Sequence, residues 1–458
     1  MERASSANLE TWLASPRRKP LVLRGARQVG KTWLVRELAS KAPRDLVELN
    51  FERDPRLARS FSSANPREIL DDLALALGRD IPIDRSLLFL DEIQAARDVL
   101  ARLRWFAEEL PGLRVVAAGS LLEFALADHS FSMPVGRVAF LHIEPMGFDE
   151  YLQAHGETRL LSTLRGWGPG ARFSEALHDR ALVWFRRYAM VGGMPAVVAA
   201  EIVGANARSC RELQRDLAAT YRADFAKYGS RLEHTVIDDV LHAVAHSLGR
   251  KFVYAHVSEG VKQHQAKRAL ELLTGARVVN LVRHSAANGL PLGGEVKDTF
   301  RKAILVDVGL FHALAGTPAG ERFPNWKDLG PDVRAKLTDQ LAGQALRLTG
   351  DHSGDGPELF YWQREGGRPG EIDYLFQATG RIVPVELKSG TAGAMKSLHQ
   401  FMFDKGLTLA LRLDENPPSV MKVDVKTTQG DRVRYRLLGL PIYLAFRAPE
   451  LLASVPRR

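Results

Sequence analysis

The run Gly25-Ala-Arg-Gln-Val-Gly30-Lys31-Thr32 sets two glycines ahead of a lysine and a hydroxyl-bearing residue. It follows the apolar Leu21-Val-Leu and precedes a helical stretch from Trp33 to Ala39. A strand that passes through such a loop into a helix constrains the fold more tightly than any other feature of the chain. Glycine accepts the dihedrals that curl the loop, so successive N–H groups converge on one point. The helix behind it adds the positive end of its dipole. This is the geometry of a phosphate cradle, in which Lys31 reaches the outer phosphates and Thr32 offers its hydroxyl to Mg²⁺. The expected nucleotide-contacting set is Gly25, Ala26, Arg27, Gln28, Val29, Gly30, Lys31, Thr32 and Trp33, with ATP and Mg²⁺ as ligands.

A second stretch, Leu87-Leu-Phe-Leu-Asp91-Glu92, is an apolar strand ending in two acids. Carboxylates at the C-terminal end of such a strand meet ligands in a parallel sheet. Asp91 is expected to hold Mg²⁺ and Glu92 to polarise the attacking water. Ser120 ends the next apolar strand and is a candidate γ-phosphate sensor or water-positioning residue, and equally a candidate helix N-cap. Arg137 is a candidate arginine finger, acting in cis or from a neighbouring subunit. Further strands are expected at Leu46–Phe51, Arg114–Ala118 and Ala139–Ile143. Their unbroken Val, Leu, Ile and Phe content fits parallel strands covered on both faces, hence an α/β domain.

The remaining sequence extends this picture. At about 150 residues per domain, 458 residues suggest three domains. The single cysteine, Cys210, excludes an internal disulfide and a cysteine zinc site. No stretch has the length and apolarity of a membrane span or a signal peptide, and a cytoplasmic protein is expected. Residues 175 to 250 read as helical, with Val236, Ile237, Val240, Leu241 and Val244 on one face. A helix capped by Ser258, followed by strands at Arg277–Arg283 and Phe300–Asp307, suggests a winged helix. Thr317 to Pro331, rich in Gly and Pro, reads as a linker. The expected domains are 15–155, 175–315 and 335–447.

The formal charge of +9 comes from 63 Lys+Arg against 54 Asp+Glu. Residues 246–302 alone hold ten Lys/Arg and four Asp/Glu. Lys262, His264, Gln265, Lys267 and Arg268 cluster on the expected recognition helix, where such side chains contact phosphates and base edges. DNA is therefore an expected partner.

In the last third, strand alternation puts Glu371, Asp373 and Leu375 on one face. Glu386 and Lys388 share a face of the next strand, and Thr379-Gly380 offers the hairpin turn between them. Asp373 and Glu386 form a candidate Mg²⁺ site, with Asp339 adding a carboxylate from the preceding helix. Lys388 would orient water or neutralise charge. Gln400 is a supporting candidate.

Taken together, the chain resembles bacterial and archaeal AAA-type ATP-binding proteins with a C-terminal domain of unknown function. The matching stretches are GARQVGKT, LLFLDEIQ, AAGSLLEFAL, VGRVAFLHIEPMGFDEYL, YAMVGGMPAVV, YRADFAKYG, ILVDVGLFHAL, LTDQLAGQALR, YWQREGGRPGEIDYLF and IVPVELKSGTAGAMKSLHQF. The resemblance implies an AAA-type P-loop ATPase domain with a parallel sheet. It also implies a helical and winged-helix middle domain and a C-terminal α/β domain like the PD-(D/E)xK nucleases. Family members usually carry Glu where this chain has Asp339, which shortens the carboxylate's reach.

The expectation is an ATP-hydrolysing protein that acts on nucleic acid through a nuclease-like domain, with assembly into a homo-oligomer as an option of the AAA type. The competing expectation is an ATP-controlled regulatory switch whose C-terminal domain is a non-catalytic binding module. A small-molecule kinase fits poorly, because Glu92 beside Asp91 favours water as the nucleophile.

Overall fold

Five short apolar strands build the first sheet: β1 (Leu21–Arg24), β2 (Asp45–Asn50), β3 (Ser86–Asp91), β4 (Arg114–Ala118) and β5 (Ala139–His142). Their order is β2-β3-β4-β1-β5, and every pairing is parallel. The expected strands thus occur within one residue of their predicted limits. All six residues of β3 are buried, which explains why its sequence is apolar without alternation. Helices Lys31–Lys41, Pro66–Leu77 and Arg97–Glu109 follow β1, the β2 segment and β3. Asn65 caps the second of these by accepting from Arg67 N, with Pro66 at its first position. Phe51, Phe61, Ile69, Leu73, Leu88, Leu103 and Phe106 form part of the core of this unit.

This computed structural model describes residues 2–119, 136–228, 234–364, 370–378, 380–391 and 393–455. Two compact units divide the chain. The first is Met1–Pro145 with Gly275–Val278 and Asp351–Gly356; the second holds the rest. Among the described residues no helix is long and apolar enough to cross a membrane.

The second unit combines helices from residues 148 to 275 with an eight-stranded mixed sheet. Its strands are β6 (Val279–Ser285), β7 (Val296–Leu305), β8 (Leu359–Gln363), β9 (Glu371–Ala378), β10 (Arg381–Leu387), β11 (Leu409–Asp414), β12 (Ser419–Lys426) and β13 (Arg432–Pro441). The order is β12-β13-β11-β10-β9-β8-β6-β7.

Two expectations are corrected here. The hairpin read as a wing is not free. β6 pairs in parallel with β8, Val282 opposite Leu359, so the hairpin is the edge of the C-terminal sheet. Val279 and Val282 are buried within the sheet's packing, and their apolar side chains need such cover. The helix expected from Ser258 runs from Gln263 to Gly275. Glu259 and Gly260 form a turn before it, and Lys262 N donates to Gln265 Oε1 at 3.1 Å.

A buried polar joint sits in this unit. Asp307 follows β7 and is wholly buried. Its carboxylate accepts from Gly193 N at 2.6 Å, Gly309 N at 2.8 Å and Gln344 Nε2 at 3.1 Å. A Cβ on Gly193 would lie 2.0 Å from Met146 O, so only glycine allows this approach.

Candidate phosphate site and acidic pocket

β1 delivers the chain to the loop at its C-terminal end. Gly25 has φ 141°, and a Cβ there would lie 2.2 Å from Ile143 O. The backbone beyond β5 closes on the loop so tightly that no side chain fits. Gln28 (φ 65°) and Gly30 (φ 96°) also adopt left-handed dihedrals. Such turns bring consecutive N–H groups into one concavity. The helix begins directly at Lys31.

Lys31 is buried, and its Nζ donates to Gly25 O at 3.0 Å and Ala26 O at 2.9 Å. Burial pushes its pKa down to about 8, against the pull of Glu92 and Asp91. Thr32 Oγ1 donates to Asp91 Oδ2 at 3.1 Å. Asn50 Nδ2 donates to the same oxygen at 3.3 Å, and Glu92 N to Oδ1 at 3.2 Å. Burial and the neighbouring Glu92 raise the pKa of Asp91, while the Thr32 bond lowers it. A hydroxyl and a carboxylate within hydrogen-bond distance are the oxygen pair that a Mg²⁺ takes, so the residues fit the ion. Glu92 has φ 51°, and its Oε2 accepts from Gln94 Nε2 at 2.7 Å. A non-glycine residue in that region signals a backbone held for a reason.

Ser120 lies outside the described residues. The in-cis finger expected of Arg137 is corrected by the sheet. β5 runs parallel to β1, with Leu21 opposite Ala139 and Arg24 opposite His142. The loop follows Arg24, whereas Arg137 precedes Ala139, at the opposite edge of the sheet. There its Nε pairs with Glu108 Oε1 at 2.7 Å, on the oxygen that Arg104 also meets.

In the second unit, β9 and β10 are antiparallel with Tyr374 opposite Val385. That register sets Asp373 beside Glu386. Asp373 Oδ2 accepts from Leu387 N at 2.7 Å, and Lys388 Nζ donates to Glu386 Oε1 at 2.6 Å. The predicted turn residue Thr379 lies outside the described residues. Asp339 is buried on helix Pro331–Leu348 and accepts from Gly249 N at 3.1 Å. Asp339, Asp373 and Lys388 line one cavity of about 290 Å³ with Gly249 and Arg250. Burial raises Asp339 to about 6, with Asp373 adding to it and Lys302 opposing. Burial and then Asp373 raise Glu386 to about 7. Gln400 is buried on helix Lys396–Asp404 and donates to Asp404 Oδ1 at 2.8 Å.

Sequence reasoning missed Lys302. It lies on β7, is 1% exposed, and pairs with Glu371. Burial works against its charge, yet Glu371, Asp373 and Asp339 hold its pKa above the ordinary lysine value. Among the described residues no three His, Cys, Asp or Glu side chains form a group able to hold a metal ion. The acids here are balanced by two lysines, Lys302 and Lys388, and the donor set does not fit the three-carboxylate metal site expected of Asp339, Asp373 and Glu386. The alternation of acids in Glu371-Ile-Asp373 could have hinted that a buried cation faces them.

Residues 17–152 match a family model described as an AAA domain. Residues 183–321 and 334–415 match two models described as domains of unknown function, DUF8612 and DUF4143. A search of curated proteins finds no match. Among solved structures, the chain is similar to a Walker-type ATPase of Pyrococcus abyssi at 16% identity, covering 68% of this chain and 94% of that one, TM-score 0.42. It is also similar to the Orc1 protein of Aeropyrum pernix in complex with DNA, at 16% identity, 70% and 94% coverage, TM-score 0.26. AMPPCP-bound DnaA from Aquifex aeolicus shares 12% identity over 59% of this chain and 87% of that one, TM-score 0.27. The family match and the parallel sheet agree: the chain carries an AAA-type P-loop α/β domain over residues 17–152.

Proposed function

We propose that the first unit binds and hydrolyses ATP, and that the second unit engages nucleic acid. The observation that carries the ATPase reading is the meeting of loop and acids: Lys31 behind Gly25 and Gly30, and Thr32 on Asp91. In this reading the loop N–H groups and Lys31 hold the phosphates, and Thr32 and Asp91 hold Mg²⁺. The ion neutralises charge on the phosphates when bound. Glu92, next to Asp91 at the strand end, accepts hydrogen bonds through its carboxylate and orients the attacking water. Lys31 is tied to loop carbonyls by bonds that phosphate oxygens would replace. An arginine from a neighbouring subunit, Arg137 included, completes the site only if the chain assembles.

For the second unit, the basic segment 246–302 supports nucleic acid as the ligand. Cleavage at the Asp373 pocket is tested with DNA substrates and Mg²⁺ or Mn²⁺, comparing wild type with Asp373→Ala and Lys388→Ala. Equal cleavage by the variants, or none by wild type, removes the nuclease reading. A second reading, an ATP-controlled switch with a non-catalytic binding module, is favoured by Lys302, whose buried ammonium faces the acids a metal would need.

A further inference from the structure

Beside the acidic pocket lies a second cavity of about 350 Å³, lined by His242, His246, Arg250, Lys251 and His256, with Asp239 its only acidic lining residue. Arg250 lines both cavities. It pairs with Asp332 at 3.1 Å on the acidic side. His242 is engaged within the fold, Nδ1 at 3.0 Å from Asp238 O and Nε2 at 3.4 Å from Arg222 Nη2. His246, Lys251 and His256 have no ion-pair partner among the described residues. Lys251 Nζ stands 4.1 Å from the centroid of the Phe300 ring, a cation–π contact made by the ammonium itself, and among the described residues it has no carboxylate partner. His246 and His256 are exposed, and among the described residues neither side chain has a hydrogen bond or an ion pair. Just along the chain, Lys262, His264 and Arg268 are exposed on or beside helix Gln263–Gly275, again without an acidic partner among the described residues.

His246, Lys251, His256, Lys262, His264 and Arg268 have no acidic partner among the described residues, and the first three line one concavity. Convergent Lys, Arg, His and Ser donors with little opposing charge are the chemistry that holds phosphate oxygens. The cavity and the exposed cations of the helix that follows lie along one stretch of chain, so one polymer with a charge on every unit can engage both. A peptide carries carboxylates on some residues only and on alternating sides. We infer that this cavity is a phosphate subsite for a nucleic-acid backbone, with His246, Lys251 and His256 as the contacting groups. It rests on the nucleic-acid reading of the second unit and does not depend on cleavage.

The test is fluorescence anisotropy of labelled DNA and RNA oligonucleotides with the full chain in EDTA, across a salt series. Lys251→Ala with His256→Ala should weaken binding about tenfold and lower the log–log salt slope by about 1, uniformly across sequences. His246→Ala, at an exposed position, should act in the same direction with the thermal unfolding transition unchanged. Unchanged affinity and slope in these variants, with DNA or RNA still bound, would overturn the subsite while sparing the broader reading. Failure of wild type to bind any nucleic acid would overturn both. Displacement of the oligonucleotide by polyglutamate as effectively as by unlabelled DNA would overturn the choice of ligand.

Discussion

Thr32 Oγ1 donates to Asp91 Oδ2 at 3.1 Å, which ties the first turn after the loop to the end of β3. In the proposed ATPase reading these two groups would hold Mg²⁺. Asp91→Asn keeps the hydrogen bond to Thr32 but removes the charge. It should weaken Mg²⁺ affinity about 10–100-fold, read as a shift in the Mg²⁺ concentration that half-saturates ATP turnover. Unchanged Mg²⁺ dependence would detach Asp91 from the ion.

The joint at Asp307 predicts a purely structural effect. Gly193→Ala forces a Cβ onto Met146 O, and about 3 kcal/mol of stability should be lost. Asp307→Asn removes one acceptor from a wholly buried cluster, at a cost of about 1–3 kcal/mol. Urea unfolding measures both, and ATP turnover per folded molecule should stay the same.

Lys302 balances the half-buried Glu371 and Asp373 and the buried Asp339. Lys302→Met leaves Asp339 and Asp373 without their cation, and about 3 kcal/mol should be lost at pH 8. At pH 5 the loss should be smaller, because Asp339, with a pKa of about 6, is then protonated. Equal losses at both pH values would mean that the lysine acts by packing alone.

Glu386 gives a pH dependence of its own. Its pKa is raised to about 7 from 4.5, so the folded state holds a proton that the unfolded state has released between those values. The contribution of Glu386 therefore falls as pH rises through that window and stays low above it. Glu386→Gln should be more stable than wild type by about 1–3 kcal/mol at pH 8, with the gain fading towards pH 4.5. Denaturant unfolding at several pH values checks the sign.

Much of this was legible in the sequence because local chemistry dictates it. The strands β1, β3 and β4 are too apolar to be anything but buried, and the loop spacing has one good use. Asp373 and Glu386 came together because strand period and a hairpin suffice to place them. Lys302 was hidden because it arrives from β7, a strand that reads locally as half of an isolated hairpin. Only the parallel pairing of β6 with β8, across more than seventy residues of chain, brings it to the acids. Arg137 was misplaced for a different reason: sequence proximity to a strand does not say which end meets the ligand. The parallel rule does, since residues before a parallel strand lie at the edge away from loops that follow one.

The ATPase assignment is tested most directly by equilibrium ATP binding to wild type and Lys31→Ala in the presence of Mg²⁺, with Glu92→Gln as the companion. Lys31→Ala should weaken binding by roughly 100-fold or more, equivalent to about 3 kcal/mol of lost charge-assisted contact. Glu92→Gln should bind ATP as wild type does and turn it over slowly. Tight ATP binding by Lys31→Ala, or full turnover by Glu92→Gln, would contradict the account.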